Sequence, residues 1–227
     1  MDGTNISAIY RIVKEEFAKH HMPVVDLIEV ETRDPFKVLV GTILSARTKD
    51  ETTAAASARL FKVAGTPDEL RRVALKKLQR LIFPVGFYQN KARFLKQLPD
   101  VLDAEFGGRL PQTVEELVKL PGVGRKTANL VVAVGFNKPA VCVDVHVHRI
   151  MNRLAYVKTE TPVETEMALR KKLPKKYWTT FNSYFVSFGQ HTCFPRNPRC
   201  DRCPAYGYCR RVGVRTKYGR SHASGRG

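Results

Sequence analysis

Apolar runs along this chain are short, and what interrupts them are helix starts. Asp34-Pro35 precedes the run FKVLVGTIL, and Asp50 opens ETTAAASARLF. Thr66-Pro67-Asp68-Glu69, Thr113-Val114-Glu115-Glu116 and Thr161-Pro162-Val163-Glu164 each read as a capping box, a threonine and a glutamate three residues on satisfying each other's amides. The first and last of these place proline at the first helical position, where its missing N–H costs nothing. A first helix near Ile6 to His20 precedes Met22-Pro23, and the one short β-branched alternation runs from Val141 to Val147. The pattern predicts an all-α protein of about ten helices joined by brief turns, without internal repeats.

Composition adds a partner. The 227 residues are 43% hydrophobic, enough to bury one good core or two smaller ones. Against 21 acidic residues stand 39 Lys and Arg, a formal net charge of +18, and the excess is spread along the chain. A polyanion is the partner such a surface attracts. No segment approaches the roughly 18 apolar residues of a membrane span. No basic start leads into a long apolar run, so we expect no targeting signal and a cytoplasmic, nucleoid-associated protein. The stretch from Val212, with RTKYGRSHASGRG, is expected to be a disordered basic tail.

Four of the five cysteines, Cys193, Cys200, Cys203 and Cys209, lie close together as C-x6-C-x2-C-x5-C. An odd count in a chain with no export signal argues against disulfides. Structural zinc favours two short hooks a dozen or more residues apart, and here only Cys200 and Cys203 form one. Four converging thiolates, with Pro204 after Cys203, suit an iron–sulfur centre, and on spacing alone that centre, zinc and free thiols all remain open. Cys142, within AVCV, reads as a small buried hydrophobe. Arginines 196, 199, 202, 210 and 211 surround the cysteine loop.

Between the helix that begins near Thr113 and the run NLVVAVGF lies Leu120-Pro121-Gly122-Val123-Gly124-Arg125-Lys126-Thr127-Ala128, read as helix, tight glycine hairpin, helix. Gly122 and Gly124 are expected to take backbone angles closed to other residues. With Val123 and Arg125 they would present amides at the start of the next helix as a nest for phosphate. Such contacts hold a nucleic-acid strand without reading its bases. His146 and His148 form an H-x-H that reads as phosphate contact or as packed helix residues.

The string LPGVGRKTA, the segment Val143-Asp144-Val145-His146 with Arg149, and the four-cysteine spacing together resemble the endonuclease III family of DNA glycosylases and abasic-site lyases, from about Asp34 to Cys209. The resemblance implies a two-lobed helix-hairpin-helix fold. Residues 27–137 would form one lobe, with the hairpin element at about 113–136. Residues 1–26 plus 138–211 would form an iron–sulfur lobe, and 212–227 the tail. It implies a [4Fe-4S] cluster on the four cysteines and double-stranded DNA carrying damaged bases or abasic sites as partner; a monomer is the default expectation. It also implies a bifunctional enzyme that removes oxidised pyrimidines and cuts 3′ to the abasic site by β-elimination. The rival readings are a monofunctional mismatch glycosylase acting on adenine or thymine, and a non-catalytic DNA-binding iron–sulfur module.

That chemistry needs an amine to attack C1′ and become a Schiff base, and a carboxylate to support charge at the sugar. By resemblance these are Lys126 and Asp144. About ten helical residues after Lys126 carry the chain roughly 15 Å away, and about five extended residues before Asp144 can return it roughly 16 Å. A helix N-terminus, Arg125 and a closed pocket are expected to favour the neutral amine. Asp144 is also expected to cap the helix that follows. Two further loops, Leu44 to Asp50 and Val85 to Ala92, correspond to those that fill the gap left by a displaced nucleotide. There Arg47 stands where the family usually has glutamine and Phe87 where it often has leucine; Phe87 could instead be a core aromatic. The residue matching His146 lies near the family's lesion pocket.

Overall fold

The computed structural model describes residues 5–20 and 22–215; the expectation for the basic tail falls, from residue 216 on, outside the described residues. Among them there is no strand. Twelve α-helices follow in order: α1 (Ile6–Phe17), α2 (Val24–Thr32), α3 (Pro35–Ser45), α4 (Asp50–Phe61), α5 (Pro67–Arg72), α6 (Leu75–Ile82), α7 (Tyr88–Phe106), α8 (Val114–Leu117), α9 (Arg125–Leu130), α10 (Val145–Arg153), α11 (Pro162–Lys172) and α12 (Trp178–His191). The alternation around Val141 is an irregular link that runs into α10. The expected helix NLVVAVGF is α-helical only to Leu130 and widens into a π turn over Val131–Gly135. No described helix is long and apolar enough to cross a membrane.

Helix starts follow their capping residues. Asp34 accepts from the Phe36 amide at 2.9 Å. Thr66 and Glu69 form the full reciprocal box. Thr113 and Thr161 accept as expected, but their glutamates do not reach back to the cap amide. The Thr113 hydroxyl donates to Glu116 at 2.6 Å, and Glu164 takes the Glu160 amide, one residue before the cap, at 2.9 Å. Of the three, the full reciprocal box is the one at Thr66.

The described chain divides into two compact units, 5–20 with 143–177 and 181–215, and 22–142 with 178–180. Relative to the division expected at 27 and 137, the second unit also takes in 22–26 and 138–142. The reason is packing: Val24, Val25 and Cys142 join Ile28, Val38 and Leu130 in one apolar cluster. The main core of this unit gathers Leu39, Leu44 and Leu60 with Leu78, Leu95 and Leu98, all fully buried, each such side chain contributing about 1.5–3 kcal/mol through burial. In the first unit α1 lies on α12 through aromatic rings: Tyr10 sits 4.2 Å from Tyr177 and 5.5 Å from Tyr184, and Phe17 4.8 Å from Tyr184.

Candidate active site and cysteine centre

The hairpin between α8 and α9 is held from below by apolar plugs, with Val114, Leu117, Leu120, Val123 and Ala128 all buried. Its two glycines do different work. Gly122 has φ +76°, and a Cβ there would stand 2.6 Å from the Phe94 ring on α7, so both conformation and space demand glycine. Gly124 departs from expectation: its φ is −91°, open to any residue, and a Cβ would meet nothing within 4 Å. What Gly124 supplies is open space before the α9 amides, where no side chain caps the helix. Phe94 was not legible as a partner of the hairpin; it reads as one more apolar residue of α7.

Lys126 sits in the first turn of α9. The closed surround expected for it is absent, since its side chain is exposed. Its backbone carbonyl accepts from the buried Cys142 thiol at 3.5 Å. In the other unit Asp144 caps α10 as expected, Oδ1 accepting from the amides of His146 at 2.8 Å and Val147 at 2.9 Å. Both histidines of the H-x-H are engaged within the protein. The His146 ring packs onto Gly189 so closely that a Cβ there would lie 2.4 Å from Nδ1, and Arg149 stands 3.0 Å from the same nitrogen. His148 pairs with Thr165 at 2.7 Å and Asn152 at 3.3 Å.

Arg149 also donates to the carbonyls of Gly189 and Cys193, at 3.2 and 2.8 Å. Burial pushes its pKa down from the usual arginine value, while Cys193 and Asp144 pull it up. One turn later Arg153 donates to Cys193 Sγ at 3.3 Å, Phe194 O at 2.6 Å and Pro195 O at 2.8 Å, and its own carbonyl accepts from Cys209 Sγ at 3.6 Å. Two arginines four apart thus tie α10 to both ends of the cysteine loop. That spacing was visible in the sequence, but the contact at 40 residues' distance was not.

All four cysteines of the motif line one pocket, walled by apolar side chains including Ile150, Leu154 and Phe188 and by the arginines 153, 199 and 211. Among the described residues no three His, Cys, Asp or Glu side chains form a group that could hold a metal ion. Burial raises the thiols of Cys200 and Cys209 and pushes Cys203 up to about 12, with neighbouring thiols adding to each rise. A positive centre is what such a set needs in order to ionise.

The two remaining loops meet. Arg47 and Phe87 both adopt left-handed backbone, φ +53° and +57°, a strain of order 1–3 kcal/mol each. Phe87 is 60% exposed, which removes the alternative of a core aromatic, and its ring centroid lies 5.6 Å from the Arg47 guanidinium. Beneath them Lys91, only 6% exposed, donates to Leu44 O at 2.8 Å, Ala46 O at 2.6 Å and Thr48 Oγ1 at 3.3 Å. Nothing local in GFYQNKARF marks this lysine as buried.

Residues 40–175 match the family of HhH-GPD superfamily base excision DNA repair proteins. The chain is 46% identical over 204 residues to endonuclease III of Thermotoga maritima, covering 90% of this chain and 92% of that protein. It is similar in structure to a non-covalent endonuclease III–DNA complex, with a TM-score of 0.82 at 34% identity over 93% of this chain and 96% of that one. A trapped endonuclease III–DNA covalent intermediate matches with a TM-score of 0.79 at 35% identity over 93% and 97%.

Gly122→Ala should lose about 2–4 kcal/mol in denaturant titration, from left-handed strain and the clash with Phe94. Gly124→Ala should stay within about 0.5 kcal/mol of the parent chain while weakening its binding to duplex DNA several-fold. Equal destabilisation by the two would contradict their different roles. Burial also brings Lys91 from the usual 10.5 to about 8. Between those values the unfolded chain holds a proton that the folded one has released, so this group's contribution to stability is lowest below about pH 8 and rises toward pH 10.5. The stability of the parent chain relative to Lys91→Met should accordingly increase across that window. A flat difference would mean the amine titrates as in water.

Proposed function

Because the chain belongs to the HhH-GPD superfamily of base excision DNA repair proteins and, within it, to the endonuclease III family, we propose that its DNA glycosylase and abasic-site lyase activity runs through Lys126 and Asp144, on duplexes carrying oxidised pyrimidines or abasic sites. The observation that carries this reading is the Lys126 amine, exposed at the start of α9 with no hydrogen bond or ion pair to it among the described residues. A lysine employed to hold the fold together would be engaged, as Lys91 is.

The hairpin at Gly122 to Arg125 holds backbone phosphate, and the Lys126 amine attacks C1′. The N-glycosidic bond breaks and the base leaves with its electron pair and a proton. Opening of the sugar ring gives an imine between Nζ and C1′. Loss of a C2′ proton then breaks the C3′–O bond, the 3′ phosphate departs, and water releases the lysine. Asp144 uses Oδ1 to cap α10, leaving Oδ2 to support positive charge at the sugar. Arg47 and Phe87 fill the gap left by the displaced nucleotide, one by hydrogen bonding to the orphaned base and the other by stacking. His146 orients the Asp144 turn from its seat on Gly189.

Cys193, Cys200, Cys203 and Cys209 would hold a [4Fe-4S] cluster. When bound, it supplies the positive core around which four thiolates gather, and its duty here is structural. Four thiols that line one pocket in the family's spacing support the cluster reading.

Incubation with abasic duplex and borohydride should give a covalent complex with the parent chain and none with Lys126→Ala, while Asp144→Asn slows trapping by about 100-fold or more. If Lys126→Ala traps as well as its parent, another group is the nucleophile. Purified protein should contain iron and acid-labile sulfide in equal amounts, and Cys203→Ser should lose both; zinc without sulfide would overturn the cluster assignment.

A further inference from the structure

α3 ends at Ser45 with no glycine behind it, and Ala46 leaves in an open conformation (φ −56°, ψ 118°). The last carbonyls of a helix need donors, and a local turn does not supply one to Leu44 O. The donor comes from 47 residues away: the Lys91 ammonium, which also reaches Ala46 O and Thr48 Oγ1. A cation suits a helix C-terminus, and no carboxylate is paired with this one among the described residues. The same Thr48 hydroxyl accepts from the Gly86 amide at 3.1 Å. Gly86 lies so close that a Cβ there would stand 2.6 Å from Arg47 O. These ties flank the two left-handed residues, Arg47 and Phe87, whose own cation–π contact is exposed and too weak to fix a geometry in water.

We propose that Lys91 is a positioning residue that clamps the loop after α3 to the start of α7, so that Arg47 and Phe87 enter the duplex as one stacked wedge. This rests on the reading of those two side chains as gap-fillers. Without the clamp each would search its own conformations, and displacement of the nucleotide would slow while attack on an already extruded sugar would not.

Two oligonucleotides separate these steps: a duplex with 2-aminopurine opposite an abasic site, and the abasic strand alone, which has nothing to unstack. Lys91→Met should lose the fluorescence rise on the duplex and trap there about 10-fold more slowly or worse, yet trap on the single strand within about 2-fold of the parent rate. Thr48→Val, which removes the hydroxyl shared by Lys91 and Gly86, should shift the duplex in the same direction by less, and decides the matter if Lys91→Met does not fold. A retained fluorescence rise, or equal slowing on both substrates, overturns the clamp. A parent chain that traps neither substrate overturns the underlying mechanism and the clamp with it.

Discussion

An α-helix leaves about four amides at its start and four carbonyls at its end without partners inside the helix, and an all-α protein must answer that demand at every helix terminus. Here the answers separate scaffold from site. Asn5, Asp34, Thr66, Thr113 and Thr161 each cap their helix with a short polar side chain, and none of these ends carries candidate chemistry. The ends that do are answered otherwise. Gly124 caps α9 with nothing but space, and Phe87 enters α7 in a left-handed conformation without a side-chain cap. Asp144 caps α10 with a carboxylate that has a second oxygen to spare, and α3 is closed from another helix. Absence of a cap is not enough by itself, since Pro23 and Ala74 also begin helices uncapped.

The same demand accounts for part of the positive charge. Arg59 donates to the carbonyls of Leu81 and Phe83 at the end of α6, Lys96 to those of Arg71 and Val73 after α5, and Lys172 to Tyr156 O beyond α10. Arg149 does so for Gly189 near the end of α12. These cations close helix C-termini across the fold, where the dipole favours them. Part of the net charge of +18 is therefore carried by cations that close helix ends, and counting it wholly as DNA contact overstates the interface. Lys91 is the extreme member of this set because burial makes its charge costly as well as useful.

This division also explains what could be read from the chain. Caps are local: the threonines, Asp34 and Asp144 announce their helices within three residues, and the glycines and lysine of the hairpin fall within nine consecutive positions. The cysteine spacing is local in the same sense. The contacts that arrange these pieces are not. Phe94 behind Gly122, Lys91 under Leu44 and Arg153 against Cys193 each join residues 28 to 47 positions apart, and no periodicity records which face of which helix will arrive there. Even the local readings are incomplete in detail, as where Glu164 takes the Glu160 amide, one residue before the cap. Gly124 failed differently: the right residue was singled out for its backbone angles, when its contribution is an unfilled volume.

Helix α10 shows how the local and distant parts combine. Its nine residues span about 13.5 Å at 1.5 Å each. Asp144 is fixed at the leading end by two amides of the first turn, so the carboxylate can be no better placed than the helix itself. Along the rest of α10, Arg149 and Arg153 grip the carbonyls of residues 189 and 193 to 195 and the sulfur of Cys193, while the Arg153 carbonyl receives Cys209. A loop rich in 3₁₀ turns, proline and exposed arginine has little apolar surface with which to hold that shape, apart from the pocket its own cysteines line. On the proposed roles of Asp144 and the four cysteines, whatever binds the thiols would set the loop, the loop the two arginines, and the arginines the axis on which Asp144 sits; the cysteine centre would then act on catalysis through this lever without exchanging an electron.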